Sequence, residues 1–173
     1  VMMPEIKKAL PSVMSPERFT RIALSALNNT PQLQVCTPMS FLAALLNSAQ
    51  LGLEPNTPLG QAYLIPYKNH GKLECQFQIG YKGLIDLAYR NGQMQTIQAQ
   101  AVYENDEFFY EYGLDAKLRH RPAFSDRGEL VYFYGIFKTV NGGYGFSVMS
   151  KNDMDIYAKT YSRAFESDYS PWK

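Results

Sequence analysis

A set of basic, amide and aromatic side chains is the part of this sequence that could do chemistry. Lysine and arginine neutralise phosphates, aromatic rings stack on bases, and glutamine offers hydrogen bonds without fixing a base sequence. Ordinary surface charge explains any single member equally well. The set as a whole predicts a nucleic-acid-binding surface. Its members are Lys68, His70, Lys72, Gln76, Gln78, Tyr81, Lys82, Gly83, Arg90, Arg119, His120, Arg121, Lys151, Lys159 and Arg163.

Lys82 is the member with the most specific surroundings. It lies between Gly80 and Gly83, at the predicted start of a helix. Glycines let a backbone approach its ligand closely, and the first turn of a helix presents free N–H groups. The segment therefore predicts a phosphate contact.

Several signatures of enzymes and metal sites are absent from the sequence. No GxxxxGK[ST] segment is present, so nothing indicates ATP. His70 and His120 lie in basic surroundings without a Ser-His-Asp arrangement, and we interpret each as a surface or phosphate-contacting histidine. Cys36 and Cys75 stand in apolar surroundings without a CxxC motif, which favours free buried thiols in a reducing compartment over zinc. We therefore expect no cofactor, no metal site and no catalytic residue.

Two segments leave other functions open. Residues 104–115 carry five acids and no basic residue, which could hold the divalent metal of a nuclease. The run lacks an acid-x-lysine pattern, so we favour a subunit contact or the protection of a sheet edge. Residues 143–146, Gly-Tyr-Gly-Phe, match the centre of an RNA-recognition signature but not its flanks. We interpret them as a turn followed by a buried strand.

Composition predicts one folded domain over residues 1–173, with 46% hydrophobic residues and a net charge of +1. The charge is segregated, because residues 117–163 carry eight Lys or Arg against four acids. Such a chain can bind a polyanion on one face or pair with a neighbouring copy. No stretch resembles a membrane span or a signal peptide, and we expect the ordered core of a longer polypeptide.

The pattern of apolar residues predicts an α+β fold. Helices begin at Ser15-Pro16 and Thr37-Pro38, and a later one spans 81–91. Ser150 caps a last helix with Asp153 in the capping-box position. The predicted strands are 62–67, 73–79, 95–103, 107–112, 116–121, 129–139 and 143–149. We expect 129–139 to be a central strand, because it is apolar on both faces.

Several side chains are predicted to be buried. On the first hairpin strand these are Tyr63, Ile65 and Tyr67. On the helix after the hairpin they are Leu84, Ile85 and Ala88. On the last helix the predicted apolar stripe is Met154, Tyr157, Ala158, Tyr161 and Phe165.

Three separated segments closely resemble the RecT family of phage and prophage recombinases. They are Leu-Gly-Leu-Glu-Pro at 51–55, Ala-Tyr-Leu-Ile-Pro-Tyr at 62–67 and Gly-Tyr-Lys-Gly-Leu-Ile at 80–85. They occur in the family's order, and the preceding helices fit as well. The resemblance covers roughly residues 3–165.

The resemblance implies ATP-independent annealing of single-stranded DNA during phage homologous recombination, by a protein that is not an enzyme. It implies helices packed on a mainly antiparallel hairpin sheet, with a Rad52-like annealing core. The partners it implies are single-stranded DNA, the annealed duplex and further copies in a ring or filament. A phage exonuclease and the host single-strand-binding protein would bind through parts outside this chain. It further implies location in the bacterial host cytoplasm, with no membrane partner.

From these expectations we predict a DNA groove between the hairpin sheet and the helices that begin at Tyr81 and Ser150. Lysine and arginine would hold the backbone there while the base edges stay free. The alternatives are a single-strand-binding module that does not anneal and the metal-dependent nuclease.

Overall fold

The structure, a computed structural model, describes residues 15–162, 165–168, 170 and 172. Its contacts divide the chain into two compact units that meet in sequence at Asn91 and Gly92. The expectation of one domain over the whole chain stays a prediction. Helices and antiparallel strand pairs occur in both units, so the predicted α+β class is confirmed. None of the described helices is long and apolar enough to cross a membrane.

The amino-terminal unit begins with helices whose starts are encoded locally. Ser15 caps the first helix, because its Oγ accepts a hydrogen bond from the Arg18 N–H at 3.2 Å, and a proline occupies the first helical position. The second helix ends where Gly52 adopts a φ of +62°, a conformation that glycine takes without strain. The elements are α1 (Pro16–Asn29), a 3₁₀ turn (Pro31–Val35) and α2 (Pro38–Gln50).

A hairpin and a third helix complete the amino-terminal unit. Strands β1 (Ala62–Asn69) and β2 (Lys72–Ile79) pair antiparallel, and α3 (Tyr81–Arg90) follows at once. The two turn residues, His70 and Gly71, both have positive φ, as a tight hairpin turn requires. One face of the hairpin packs on the helices. The core there includes Phe19, Ala26, Leu33, Ala44, Leu45, Leu64 and Cys75.

The Leu-Gly-Leu-Glu-Pro segment, residues 51–55, has a structural role. Leu53 is fully buried, and its carbonyl accepts a hydrogen bond from the buried Ser48 hydroxyl. Glu54 forms an ion pair with Arg18 on α1. The segment therefore ties the end of α2 to α1.

The carboxyl-terminal unit is a three-stranded antiparallel sheet with a second hairpin and a helix. Its elements are β3 (Met94–Tyr103), β4 (Glu107–Glu111), β5 (Lys117–Arg121), β6 (Leu130–Thr139), β7 (Tyr144–Ser150) and α4 (Lys151–Tyr161). The sheet order is β3-β6-β7, which confirms the central position predicted for 129–139. The residues after the Asn-Gly-Gly turn form β7, which is an edge strand of this sheet and is only partly buried. Ser150 caps α4 as predicted.

Aromatic rings join the β4–β5 hairpin to the sheet. The Phe108 ring stacks on the Tyr134 ring with 5.6 Å between centroids, and Tyr112 stacks on Phe146 at 5.1 Å. The Tyr112 hydroxyl also accepts a hydrogen bond from the Val148 N–H on the edge strand β7. The hairpin therefore covers one face of the sheet.

A buried carboxylate, Asp106, lies at the centre of this unit. Its side chain is 0% exposed and accepts hydrogen bonds from the Arg127 guanidinium, from the N–H groups of Tyr103 and Ala123, and from His120 Nε2 at 3.0 Å. These donors, Arg127 above all, hold the pKa of Asp106 well below its usual range despite the burial of the carboxylate. Asp106 therefore stays charged inside the fold.

Several predicted buried positions are exposed. Leu84 is 56% exposed, whereas Gly83, one residue earlier, is the buried residue of α3 and packs against the backbone at Gln61. Tyr157 and Tyr161 are 50% and 71% exposed and pack on each other, while Ala158 is the buried residue of α4. The predictions of burial were wrong at these tyrosines and at Leu84.

We expect Asp106→Asn to lower the urea midpoint of unfolding at pH 7, because Arg127 and His120 would lose a charged partner. The folded pKa of Asp106 is depressed, so its stabilisation is complete above about pH 5 and is lost as the pH falls below about pH 4. The difference between the two proteins should therefore shrink in acid. The control is Glu107→Gln at the exposed neighbouring position. Equal midpoints for the two variants at pH 7 would contradict this role.

Candidate nucleic-acid interface

The hairpin outer face is the side of β1–β2 turned away from the helices. It carries Tyr63, Ile65, Tyr67 and Asn69 on β1, opposite Gln78, Gln76, Glu74 and Lys72 on β2. Strand alternation turns Leu64 and Cys75 inward, so their neighbours must face outward. The three apolar members remain 39–43% exposed. The prediction that they pack in the core was wrong, and they join the predicted Gln76 and Gln78 on one surface.

The predicted basic residues of the hairpin lie at its turn. Lys68, His70 and Lys72 are exposed there. Within the described chain, neither lysine forms an ion pair. Their charge is therefore available to a ligand.

The glycines around Lys82 serve a contact inside the protein. A Cβ on Gly83 would lie 2.1 Å from the Gln61 carbonyl oxygen, and one on Gly80 would lie 2.4 Å from the Gly60 carbonyl oxygen. The Gly80 N–H also donates to the Gln61 carbonyl at 2.9 Å. Gly83 is therefore a packing residue and not the predicted DNA contact, because the chain before β1 fills the space beside it.

Tyr81 and Lys82 are exposed as a phosphate contact would require. No side chain caps the start of α3. The Lys82 side chain passes beside Gly60, where the Tyr63 hydroxyl also lies. Lys82 therefore borders the hairpin outer face at the end opposite Lys72.

The Arg90 side chain forms hydrogen bonds and an ion pair within its own unit. Its guanidinium donates to the carbonyls of Leu51 at 2.6 Å and Gly52 at 3.1 Å, and it forms an ion pair with Asp86. Arg90 thus satisfies carbonyls at the end of α2. Both terminal nitrogens of Arg90 are therefore engaged within the unit, and we do not propose this residue as a DNA contact.

The second basic surface is the β5 outer face, defined by Lys117, Arg119 and Arg121. These three are exposed, whereas Leu118 and His120 between them face inward. Arg121 lies 3.7 Å from the Glu107 carboxylate, and Arg119 lies opposite Phe109, whose ring is 55% exposed. Sequence reasoning missed Lys117 and Phe109, although period-2 alternation through 117–121 would have selected the lysine.

The prediction that His120 lies on the surface or contacts phosphate was wrong. Its side chain is only 6% exposed, with Nε2 on Asp106 and Nδ1 3.1 Å from the Tyr134 hydroxyl. The ring lies on the inward face of β5 because Arg119 and Arg121 face outward. It cannot contact phosphate without leaving this cluster.

The predicted contacts on α4 differ in their surroundings. Lys151 forms an ion pair with Asp155, and the Lys159 ammonium lies 5.7 Å from the centre of the Phe165 ring. Both lysines are exposed. Arg163 lies outside the described residues.

The acidic run does not form a metal site in the part of the chain described. Asp106 is engaged with Arg127 and His120, and no group of three or more His, Cys, Asp or Glu is placed to hold a metal ion among the described residues. The two cysteines are free and buried, and burial together with the nearby Cys36 raises the pKa of Cys75 to about 11. At neutral pH these thiols are protonated, which makes them poor nucleophiles.

An α+β fold that exposes cations and aromatic rings on hairpin faces is typical of nucleic-acid-binding proteins. The chain belongs to the RecT family, because the family model described as "RecT family" matches residues 17–173. The chain is 39% identical to "Protein RecT" of Escherichia coli (strain K12) over 175 residues, which cover 99% of this chain and 64% of that protein. It is 29% identical over 161 residues to "Uncharacterized protein YqaK" of Bacillus subtilis (strain 168), covering 90% of this chain and 52% of that protein. The chain thus spans between half and two thirds of the length of these curated relatives.

We expect Gly83→Ala to destabilise the fold by about 1–3 kcal/mol, because the added methyl group would overlap the Gln61 carbonyl. The gain in helix propensity is about 1 kcal/mol and offsets only part of this cost. The measurement is the urea midpoint of unfolding. Gly135→Ala is the control, since the nearest atom to its added methyl would be 3.9 Å away. A stable Gly83→Ala variant that has lost DNA binding would restore the phosphate-contact interpretation.

Proposed function

We propose that this protein binds single-stranded DNA and anneals complementary strands without ATP, as a step of homologous recombination. The observation that carries the proposal is the family match over residues 17–173. The exposed cations on the hairpin turn, at the start of α3 and on the β5 outer face support it.

The mechanism follows from the different tasks of phosphate and base contacts. An annealing protein must hold a strand firmly and still leave its base edges free for the second strand, so it should bind through phosphates. Lys68, Lys72 and Lys82 supply this charge in the amino-terminal unit. Arg119 and Lys117 supply it in the carboxyl-terminal unit, while Arg121 shares its charge with Glu107. Lys151 and Lys159 are further candidates on α4.

The partners follow from the same proposal. Single-stranded DNA is the ligand and the annealed duplex is the product. We further propose that copies of the chain assemble as a ring or filament along the strand, in the bacterial host cytoplasm. A phage exonuclease and the host single-strand-binding protein would contact regions outside this chain.

The direct test mixes two complementary oligonucleotides with the protein in the absence of ATP and follows duplex formation by fluorescence energy transfer. We expect faster annealing than in buffer alone, and a loss of this acceleration in Arg119→Glu. The matched control is Lys138→Glu, the same reversal of charge at an exposed basic position on β6 outside the proposed contacts. Binding without acceleration would instead support a single-strand-binding module. Cleavage on addition of Mg²⁺ or Mn²⁺ would support the nuclease.

We expect Lys82→Ala to weaken single-strand binding and to reduce the slope of log K against log salt by about 0.7, the value for one lost phosphate contact on a single strand. The measurement is fluorescence anisotropy of a labelled oligonucleotide across a salt series. Arg21→Ala, at an exposed position of α1, is the control and should leave the slope unchanged. An unaltered slope in Lys82→Ala would remove this residue from the phosphate contacts.

A further inference from the structure

Three neighbouring side chains on the hairpin outer face are apolar or aromatic and exposed. Tyr63, Ile65 and Tyr67 stand in one row along β1, with 39–43% of each residue exposed. Isolated apolar residues on a surface need no explanation, but an aligned row of three is a patch that can take a ligand.

The row is bordered by groups that suit a polyanion. Lys72 faces outward at the Tyr67 end, and Lys82 passes beside Gly60 at the Tyr63 end. Gln76 and Gln78 lie across from the row as uncharged hydrogen-bonding groups. The single acid on this face, Glu74, accepts a hydrogen bond from the Asn69 amide at 3.1 Å, which occupies part of its carboxylate.

The spacing of the side chains in the row indicates whether they fit stacked or unstacked bases. Residues two apart on a strand are separated by about 7 Å. Stacked bases in duplex DNA follow one another at about 3.4 Å along each strand. Side chains of this row therefore match successive bases only if the strand is stretched and its bases are separated from one another.

The geometry points to the row Tyr63, Ile65 and Tyr67 as a base-stacking platform for the unstacked bases of single-stranded DNA, with about one base for each side chain. This inference rests on the proposed function and adds the base-contacting residues to it. Stacking uses the flat face of a base and leaves its Watson–Crick edge free. The platform can therefore hold bases apart while a second strand reads them.

Tyr67 is the residue to test, because Tyr63 also has a packing role. The Tyr63 ring lies against Gly80, since a Cβ there would be 3.1 Å from Tyr63 Cε2. Tyr67 stands opposite Glu74 nearer the exposed turn. Tyr67→Phe keeps the ring and removes the hydroxyl, so it separates stacking from hydrogen bonding.

The experiment measures the affinity of the protein for oligo-dT and for an oligomer of equal length in which every base is absent. We expect wild type to bind oligo-dT more tightly than the abasic strand. Tyr67→Ala should lose about fivefold or more in affinity for oligo-dT and keep its affinity for the abasic strand, whereas Tyr67→Phe should resemble wild type. Tyr161→Ala, at an exposed tyrosine of α4, is the matched control and should change neither affinity. Urea midpoints check that each variant is folded.

A second measurement does not depend on a variant. Irradiation of a bound oligonucleotide that carries 5-iodouracil should cross-link the peptide containing residues 62–69, as identified by mass spectrometry. Equal effects of Tyr67→Ala on both strands, or no effect on either, would overturn the platform and leave the proposed function in place. Absence of binding to both strands by wild type would overturn both. Cross-links confined to other peptides would also overturn the platform.

Discussion

The buried carboxylate of Asp106 is the interaction on which the carboxyl-terminal unit depends. It precedes β4, yet its hydrogen-bond donors come from the end of β3, from β5, from the loop after β5 and from Arg127 ahead of β6. Burying a charge is costly unless every lone pair has a partner, and here the donors supply those partners. His120 Nε2 donates to the carboxylate, so in the neutral ring Nδ1 accepts from the Tyr134 hydroxyl. One charge thereby joins the hairpin to the sheet.

This constraint also decides where the basic surface lies. Side chains alternate along a strand, so fixing His120 inward fixes Arg119 and Arg121 outward. A slip of one residue would bury two guanidinium groups and expose the histidine. The aromatic ring of Phe108, inward beside His120, requires the same register on β4, and this leaves Phe109 opposite Arg119. The interior of this unit thus determines which cations a ligand can reach.

The helices and strands could be predicted from the sequence because the residues that define their ends are local. Much of the candidate site could not be predicted, because it depends on contacts between residues far apart in the sequence. Ser15, Ser150 and the Asn-Gly-Gly turn define ends within a few residues of themselves, and the predicted strands agree with β1–β7 to within two residues. The role of Asp106 depends on Arg127, which is 21 positions away, and no local sequence pattern indicates that the two residues pair. Likewise, Gly83 packs against the Gln61 carbonyl, and the two positions are brought together only when the β1–β2 hairpin between them folds. Alternation was visible at 73–79 but not at 62–67, where Tyr63, Ile65 and Tyr67 are as apolar as their buried neighbours.

The net charge of +1 understates the positive field that a ligand would meet. Some acids and cations neutralise each other in ion pairs within the chain, as in Arg18–Glu54, Arg90–Asp86 and Arg127–Asp106. Among the described residues, Lys68, Lys72, Lys82 and Arg119 form no such pair, and all four lie on exposed hairpin or helix-start positions. Screening limits the reach of each charge to about 8–10 Å at physiological salt, so the charges close to a bound phosphate, and not the net charge of the chain, decide the attraction for it. A near-neutral chain can therefore present surfaces suited to a polyanion, because exposed cations such as Lys68 and Lys72 have no acidic partner among the described residues.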